Sequence, residues 1–124
     1  MAKHAPTVPR VAERVFLVVA NDGADSDADR DRHLEGHLEY IEKNCDRYLT
    51  CGPILGDDRA TLTGSFFLVT AEDADDARAF LDGDPYLRSG MYAEVTVREV
   101  TTAGGRWMGG VIWESAEAIR AKAS

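Results

Sequence analysis

Six consecutive apolar residues, Val15-Phe16-Leu17-Val18-Val19-Ala20, most constrain what this chain can fold into. An unbroken run that short, rich in β-branched and aromatic side chains, reads as a strand buried on both faces. Asn21-Asp22-Gly23 ends it. The chain of 124 residues is long enough for one domain with one core, so the rest of the sequence must supply what covers that strand.

Three further strands and two helices follow. Carboxylates in the stretch Asp25 to Asp31 favour a helix N-terminus through the helix dipole. A calcium loop is excluded there, because the glycine and glutamate it needs at its sixth and twelfth positions are Arg30 and Gly36. A helix is expected from about Asp29 to Asn44, with Leu34, Leu38, Ile41 and Cys45 as its inward apolar stripe. Gly36 lies off that stripe and weakens the helix by roughly 1 kcal/mol relative to alanine. Tyr48 to Cys51 reads as a second strand and Gly64 to Val69 as a third. Thr70, three residues before Asp73, suggests a capping box for a second helix ending near Leu81, with Ala74, Ala77 and Leu81 inward. In Met91 to Val100, Met91, Ala93, Val95 and Val97 alternate with Tyr92, Glu94, Thr96 and Arg98, the pattern of a half-buried antiparallel strand.

The order β-α-β-β-α-β is the ferredoxin-like split pattern, an α+β fold on an antiparallel sheet. Both helices lie on one side of such a sheet. The other face, apolar in strands 1 and 3, needs a cover, and a second subunit's sheet is the economical one. The expected organisation is an N-terminal arm over 1–13, the sheet domain over 14–102, and a C-terminal extension over 103–124. That extension carries Trp107, Trp113 and a short helix over Glu114–Lys122 and is expected to pack on its own or a partner subunit.

Composition narrows the partners. Acidic residues number 22 against 14 basic, a formal charge of −8, which repels nucleic-acid backbones and anionic lipid. No apolar run is long enough to span a membrane, and no secretory leader is expected from Met1–Glu13. Two cysteines, Cys45 and Cys51, form no disulfide framework and read as reduced packing residues, which fits a cytoplasmic protein.

Chemistry-bearing residues are few. His37 falls roughly 60–80° from the centre of the leucine stripe by the 3.6-residue period, at the edge of the buried face, where an imidazole can titrate and move protons. His33 lies further round with Tyr40 beside it. His33 and His37 are four apart, yet Leu34 stands where a zinc protease has glutamate, and no third ligand has diagnostic spacing. No metal site is expected. In Asp82-Gly83-Asp84-Pro85-Tyr86, Gly83 fits a helix C-cap, and Asp84 precedes a proline that restricts its backbone to extended conformations. A carboxylate fixed in this way can orient an imidazole.

His37-Leu38-Glu39-Tyr40-Ile41, Cys51-Gly52-Pro53, Gly64-Ser65, Asp84-Pro85-Tyr86 and Gly90-Met91-Tyr92, in this order, resemble the YciI-like (YCII-related) family over about residues 14 to 101. The resemblance implies a dimeric α+β barrel and a His–Asp pair carried by His37 and Asp84. It places Ser65 and Tyr92 at motif positions, and these, with His33 and Tyr40, are taken as ligand contacts. The arginine typical three residues before the family's histidine is replaced by Leu34; Arg30 holds that place relative to His33. Better-understood relatives suggest dehydrochlorinase or lactone-isomerase-like chemistry on small cyclic compounds, without a cofactor. Three readings remain open at this point: a lyase or isomerase using His37 and Asp84, a cofactor-free monooxygenase of the dimeric α+β barrel type with Trp107 and Trp113 at its pocket, and a non-catalytic ligand-binding or assembly module. All three are expected to work as homodimers, or as higher homo-oligomers, with a small-molecule ligand.

Overall fold

A computed structural model describes residues 4–123. In the unit Glu13–Val100, the elements are β1 (Val15–Asp22), α1 (Ser26–Lys43), β2 (Tyr48–Leu55), β3 (Leu62–Thr70), α2 (Ala74–Leu81), a one-turn α3 (Pro85–Arg88) and β4 (Tyr92–Val100). The strands form one sheet in the order β2-β3-β1-β4, every neighbouring pair antiparallel. This is the ferredoxin-like α+β arrangement expected from the element order.

Register decides what each strand offers to which face. Val18 pairs with Phe67 of β3 and Val97 of β4, and Ala20 pairs with Ser65 and Val95. Because side chains alternate along a strand, Phe16, Val18 and Ala20 share the helix-covered face with Phe67 and Val69. These join Phe80, Leu81, Tyr86 and Met91 in the core. The other face carries Leu17 and Val19 beside Leu68 and Phe66, all only half-buried. Thus β1 is not covered on both sides within one chain. Its unbroken hydrophobicity reflects one face packed under helices and one left open.

The helices differ from expectation in instructive ways. α1 starts at Ser26, three residues earlier than the pattern suggests, with Asp27 and Asp29 in its first turn. Its leucine stripe does not face the core: Leu34 and Leu38 are 44% and 48% exposed, and Cys45 is exposed as well. The inward side carries Ser26, Arg30, His37, Tyr40 and Ile41. For α2 the cap is Asp73, whose side chain accepts from the Asp76 backbone N–H at 2.7 Å, and Thr70 belongs to β3. Ala77, Phe80 and Leu81 are buried there, whereas Ala74 is exposed.

The described residues before Glu13 and after Val100 form a second compact unit. Here β5 (Gly104–Gly105) pairs antiparallel with β6 (Gly110–Val111), and α4 (Ala116–Ala123) closes the chain. The N-terminal segment is no loose arm at residues 6–8: Val111 donates to Pro6 O at 3.0 Å and accepts from the Val8 N–H at 2.8 Å. Trp113 is half-buried, but Trp107 is 80% exposed. Among the described residues, no helix is long and apolar enough to cross a membrane.

Candidate active site

Asp84 is a fully buried carboxylate of the sheet domain. It is the N-cap of α3, with extended backbone (φ −77°, ψ 129°) ahead of Pro85 at the first helical position. One carboxylate oxygen accepts from the Tyr86 N–H at 2.9 Å, and the other lies 2.6 Å from His37 Nδ1. Its side chain is 0% exposed. Opposite an ionised carboxylate, which only accepts, Nδ1 is the donor and carries the hydrogen. That leaves Nε2 as the free lone pair of the neutral ring.

The imidazole is held on its face as well as its edge. Its ring stacks on Tyr86 at 3.7 Å between centroids and 7° between planes. Tyr86 in turn donates its hydroxyl to Arg30 O of α1 at 3.2 Å. Two glycines let the elements come this close. A Cβ on Gly36 would lie 2.9 Å from Pro85 Cγ, and a Cβ on Gly83 would collide with the Tyr40 ring. Gly83 is therefore there for packing; its backbone is not left-handed, so it is not the C-cap expected from its position.

A second polar cluster lies beside the dyad. The two terminal nitrogens of Arg30 engage both carboxylate oxygens of Asp22, the Nη2–Oδ1 contact measuring 3.0 Å. Arg30 Nη2 also donates to Gly64 O at 3.0 Å and to Ser65 Oγ at 3.4 Å. Burial works against the arginine's charge, but the hydrogen bonds to Asp22 and its attraction outweigh it and raise the guanidinium pKa. The Tyr92 hydroxyl donates to Ser65 Oγ at 2.8 Å. Burial pushes the Tyr92 phenol up to about 12, so it remains a donor at any physiological pH. Tyr92 comes within reach because a register shift at Asn21/Asp22 sets it opposite Asp22.

A cavity of about 360 Å³ opens between α1 and strands β2 and β3. Its polar wall holds Arg30, Ser65 and His37. Its apolar wall includes Leu34, Leu38, Ile41, Leu62 and Phe67, and Cys51 lines it too. Burial, reinforced by the charge of Asp84, pushes the Cys51 thiol up, so it is not primed as a nucleophile. Fixed imidazole, hydroxyl donor and apolar wall together suit proton transfer on a small, mostly apolar molecule.

The structure thus pairs His37 with Asp84 and Ser65 with Tyr92, and His37 and Ser65 both line the cavity. It does not bring in the other two proposed ligand contacts. Tyr40 spends its hydroxyl on Phe80 O and packs on Gly83, and His33 is half-buried; neither is among the described residues lining the cavity. The physical reason is helical phase: at about 100° per residue, Arg30, Leu34, Leu38 and Ile41 lie to one side of His37, toward the cavity, and His33 and Tyr40 lie roughly 40–60° to the other. Arg88 is exposed on α3, and Arg98 pairs with Leu17 on the open sheet face. Sequence reasoning missed Arg30 and Asp22 as site residues. A signal existed: Arg30 lies seven residues, two helical turns, before His37 and so on the same face.

A profile of the YCII-related domain matches residues 15–101. Protein YciI of Escherichia coli O6:H1 and Protein YciI of Shigella flexneri are each 33% identical over 91 residues, covering 68% of this chain and 93% of theirs. Among solved structures, 5-chloro-2-hydroxyhydroquinone dehydrochlorinase from Burkholderia phenoliruptrix AC1100, in complex with 2,5-dihydroxybenzoquinone, is similar with a TM-score of 0.64. It is 29% identical, and the similarity covers 74% of this chain and 96% of that one.

Proposed function

Because this chain belongs to the YCII-related family, we propose that it is an acid/base catalyst of the lyase or isomerase type acting on a small cyclic organic compound. The observation that carries this reading is the 2.6 Å contact from His37 Nδ1 to the buried Asp84 carboxylate. His37 Nε2 takes a proton from the substrate, and Asp84 holds the ring and stabilises the imidazolium that forms. In a lyase reaction the electron pair left behind expels a leaving group on the ring. In an isomerase reaction the same proton returns at another atom. The solved relative is a dehydrochlorinase holding a flat six-membered ring compound, which supports both the reaction class and the ligand size.

The proposed working form is a homodimer closed over the open sheet face, where Leu17, Val19, Phe66 and Leu68 would otherwise stay partly in water. Both cysteines are free thiols, which supports a reducing compartment such as the cytoplasm.

Turnover of chlorinated hydroquinones and small lactones, followed by chloride release and product chromatography, tests the reaction. Activity in the wild type that drops about a hundredfold or more in His37→Gln and Asp84→Asn, with folding retained, supports the proposal. Turnover that ignores both substitutions contradicts the roles given to His37 and Asp84, and none across the panel favours a ligand-binding module instead.

A further inference from the structure

Charge in the cavity is arranged in two closed pairs. Arg30 is the one guanidinium among the described lining residues, and both of its terminal nitrogens engage Asp22, with side-chain exposures of 11% and 10%. His37 is paired with Asp84. The first pair is neutral. The second is neutral when the imidazole carries two protons and has one negative charge when it carries one. In neither state does this wall offer net positive charge. The chain's formal charge of −8 adds to the disadvantage of an anion.

The remaining groups describe what does fit. Ser65 Oγ accepts from Tyr92 and, at longer range, from Arg30. Its own proton is then left to donate to an oxygen in the cavity. Leu34 and Leu38 stand half-exposed at the rim, with Ile41 deeper, so the body of the ligand meets hydrocarbon. A carboxylate there would have to pull Arg30 away from Asp22 or stay unpaired in a partly desolvated site, and both are costly.

We propose that this cavity takes an uncharged ring compound bearing a hydroxyl or carbonyl oxygen, and that Leu34 sets the preference for a neutral ligand. The oxygen faces Ser65 and the ring lies against Leu34, Leu38 and Ile41. This narrows the small cyclic compound proposed above and rests on the same cavity being the reaction site. Leu34 sits one turn before His37 on α1, so a cation at this rim position would lie beside the bound ring.

Binding of 4-hydroxybenzamide and 4-hydroxybenzoate at pH 7.5, measured by titration calorimetry, isolates charge at nearly constant size. The amide is expected to bind at least ~10-fold tighter to the wild type, the equivalent of leaving one charge poorly paired. Leu34→Arg, at an exposed position that tolerates the change, is expected to reverse the order, and Leu34→Met to keep it. Equal or tighter binding of the benzoate by the wild type, binding of neither, or an order unmoved by Leu34→Arg overturns the assignment. Binding is read without turnover, so failure of the ligand class and failure of the acid/base reaction are separate results.

Discussion

Gly36 of α1 lies directly against the ring of Pro85, close enough that a Cβ would stand 2.9 Å from Pro85 Cγ. This approach sets the distance between the next residue on each side, His37 and Asp84. Alanine is the better helix former by about 1 kcal/mol, so Gly36→Ala would be stabilising at an unpacked helical site. Here the methyl meets a stiff ring, and overpacking costs about 1–3 kcal/mol. We expect a melting temperature lower by a few degrees and loss of the ring-current signature of His37 stacked on Tyr86 by NMR. A raised melting temperature would contradict the packing role.

Tyr92 gives the site a pH signature. Burial raises its phenol from the ordinary value near 10 to about 12 in the fold. A group whose folded pKa is raised contributes stability that is fully present below its unfolded pKa and is lost as pH rises through the folded one. The window is therefore about pH 10 to 12. Burial raises Tyr48 as well, in the same direction. Tyrosinate absorbance should show a phenol titrating near 12 that disappears in Tyr92→Phe. Thermal melts should show that variant declining less steeply across the same window.

Much of the fold was legible because strand signals are local. The Val15–Ala20 run, the alternation after Met91 and the breaks at Gly23 and Gly52-Pro53 fix the β-α-β-β-α-β order. What misled was helix α1, whose obvious leucine stripe lines a cavity rim while its polar side turns inward. Periodicity finds the apolar face, and here the functional face replaces it: Arg30 and His37 are held in the interior by Asp22 at the end of β1 and by Asp84, 47 residues on from His37, partners that lie outside the helix. Gly36 looked unexplained for the same reason, because Pro85 is invisible on a helical wheel. Helical phase puts His37 at the edge of the buried face and Pro85 marks Asp84 as a fixed carboxylate, but the pairing of the two, with Ser65 and Tyr92 beside them, rests on family resemblance.

The open sheet face predicts assembly. Leu17 pairs with Leu68 and Val19 with Phe66, so four apolar side chains form one patch opposite the helices. Phe66→Arg places a charge in its centre without touching the helix-side core. Light scattering after size exclusion should report twice the chain mass for the wild type and the chain mass for Phe66→Arg. A wild-type monomer, or a dimer indifferent to the substitution, would contradict assembly through this face.

The central claim is that Asp84 fixes His37 with its proton on Nδ1 and its lone pair on Nε2. Nitrogen-15 NMR of the histidine rings reads this directly, because protonated and bare ring nitrogens resonate far apart. The wild type should show His37 as the Nδ1–H tautomer in its neutral form, and Asp84→Asn, which keeps an acceptor for the Tyr86 N–H, should lose that preference while remaining folded. An Nε2–H tautomer in the wild type, or a tautomer unmoved by Asp84→Asn, would contradict the account.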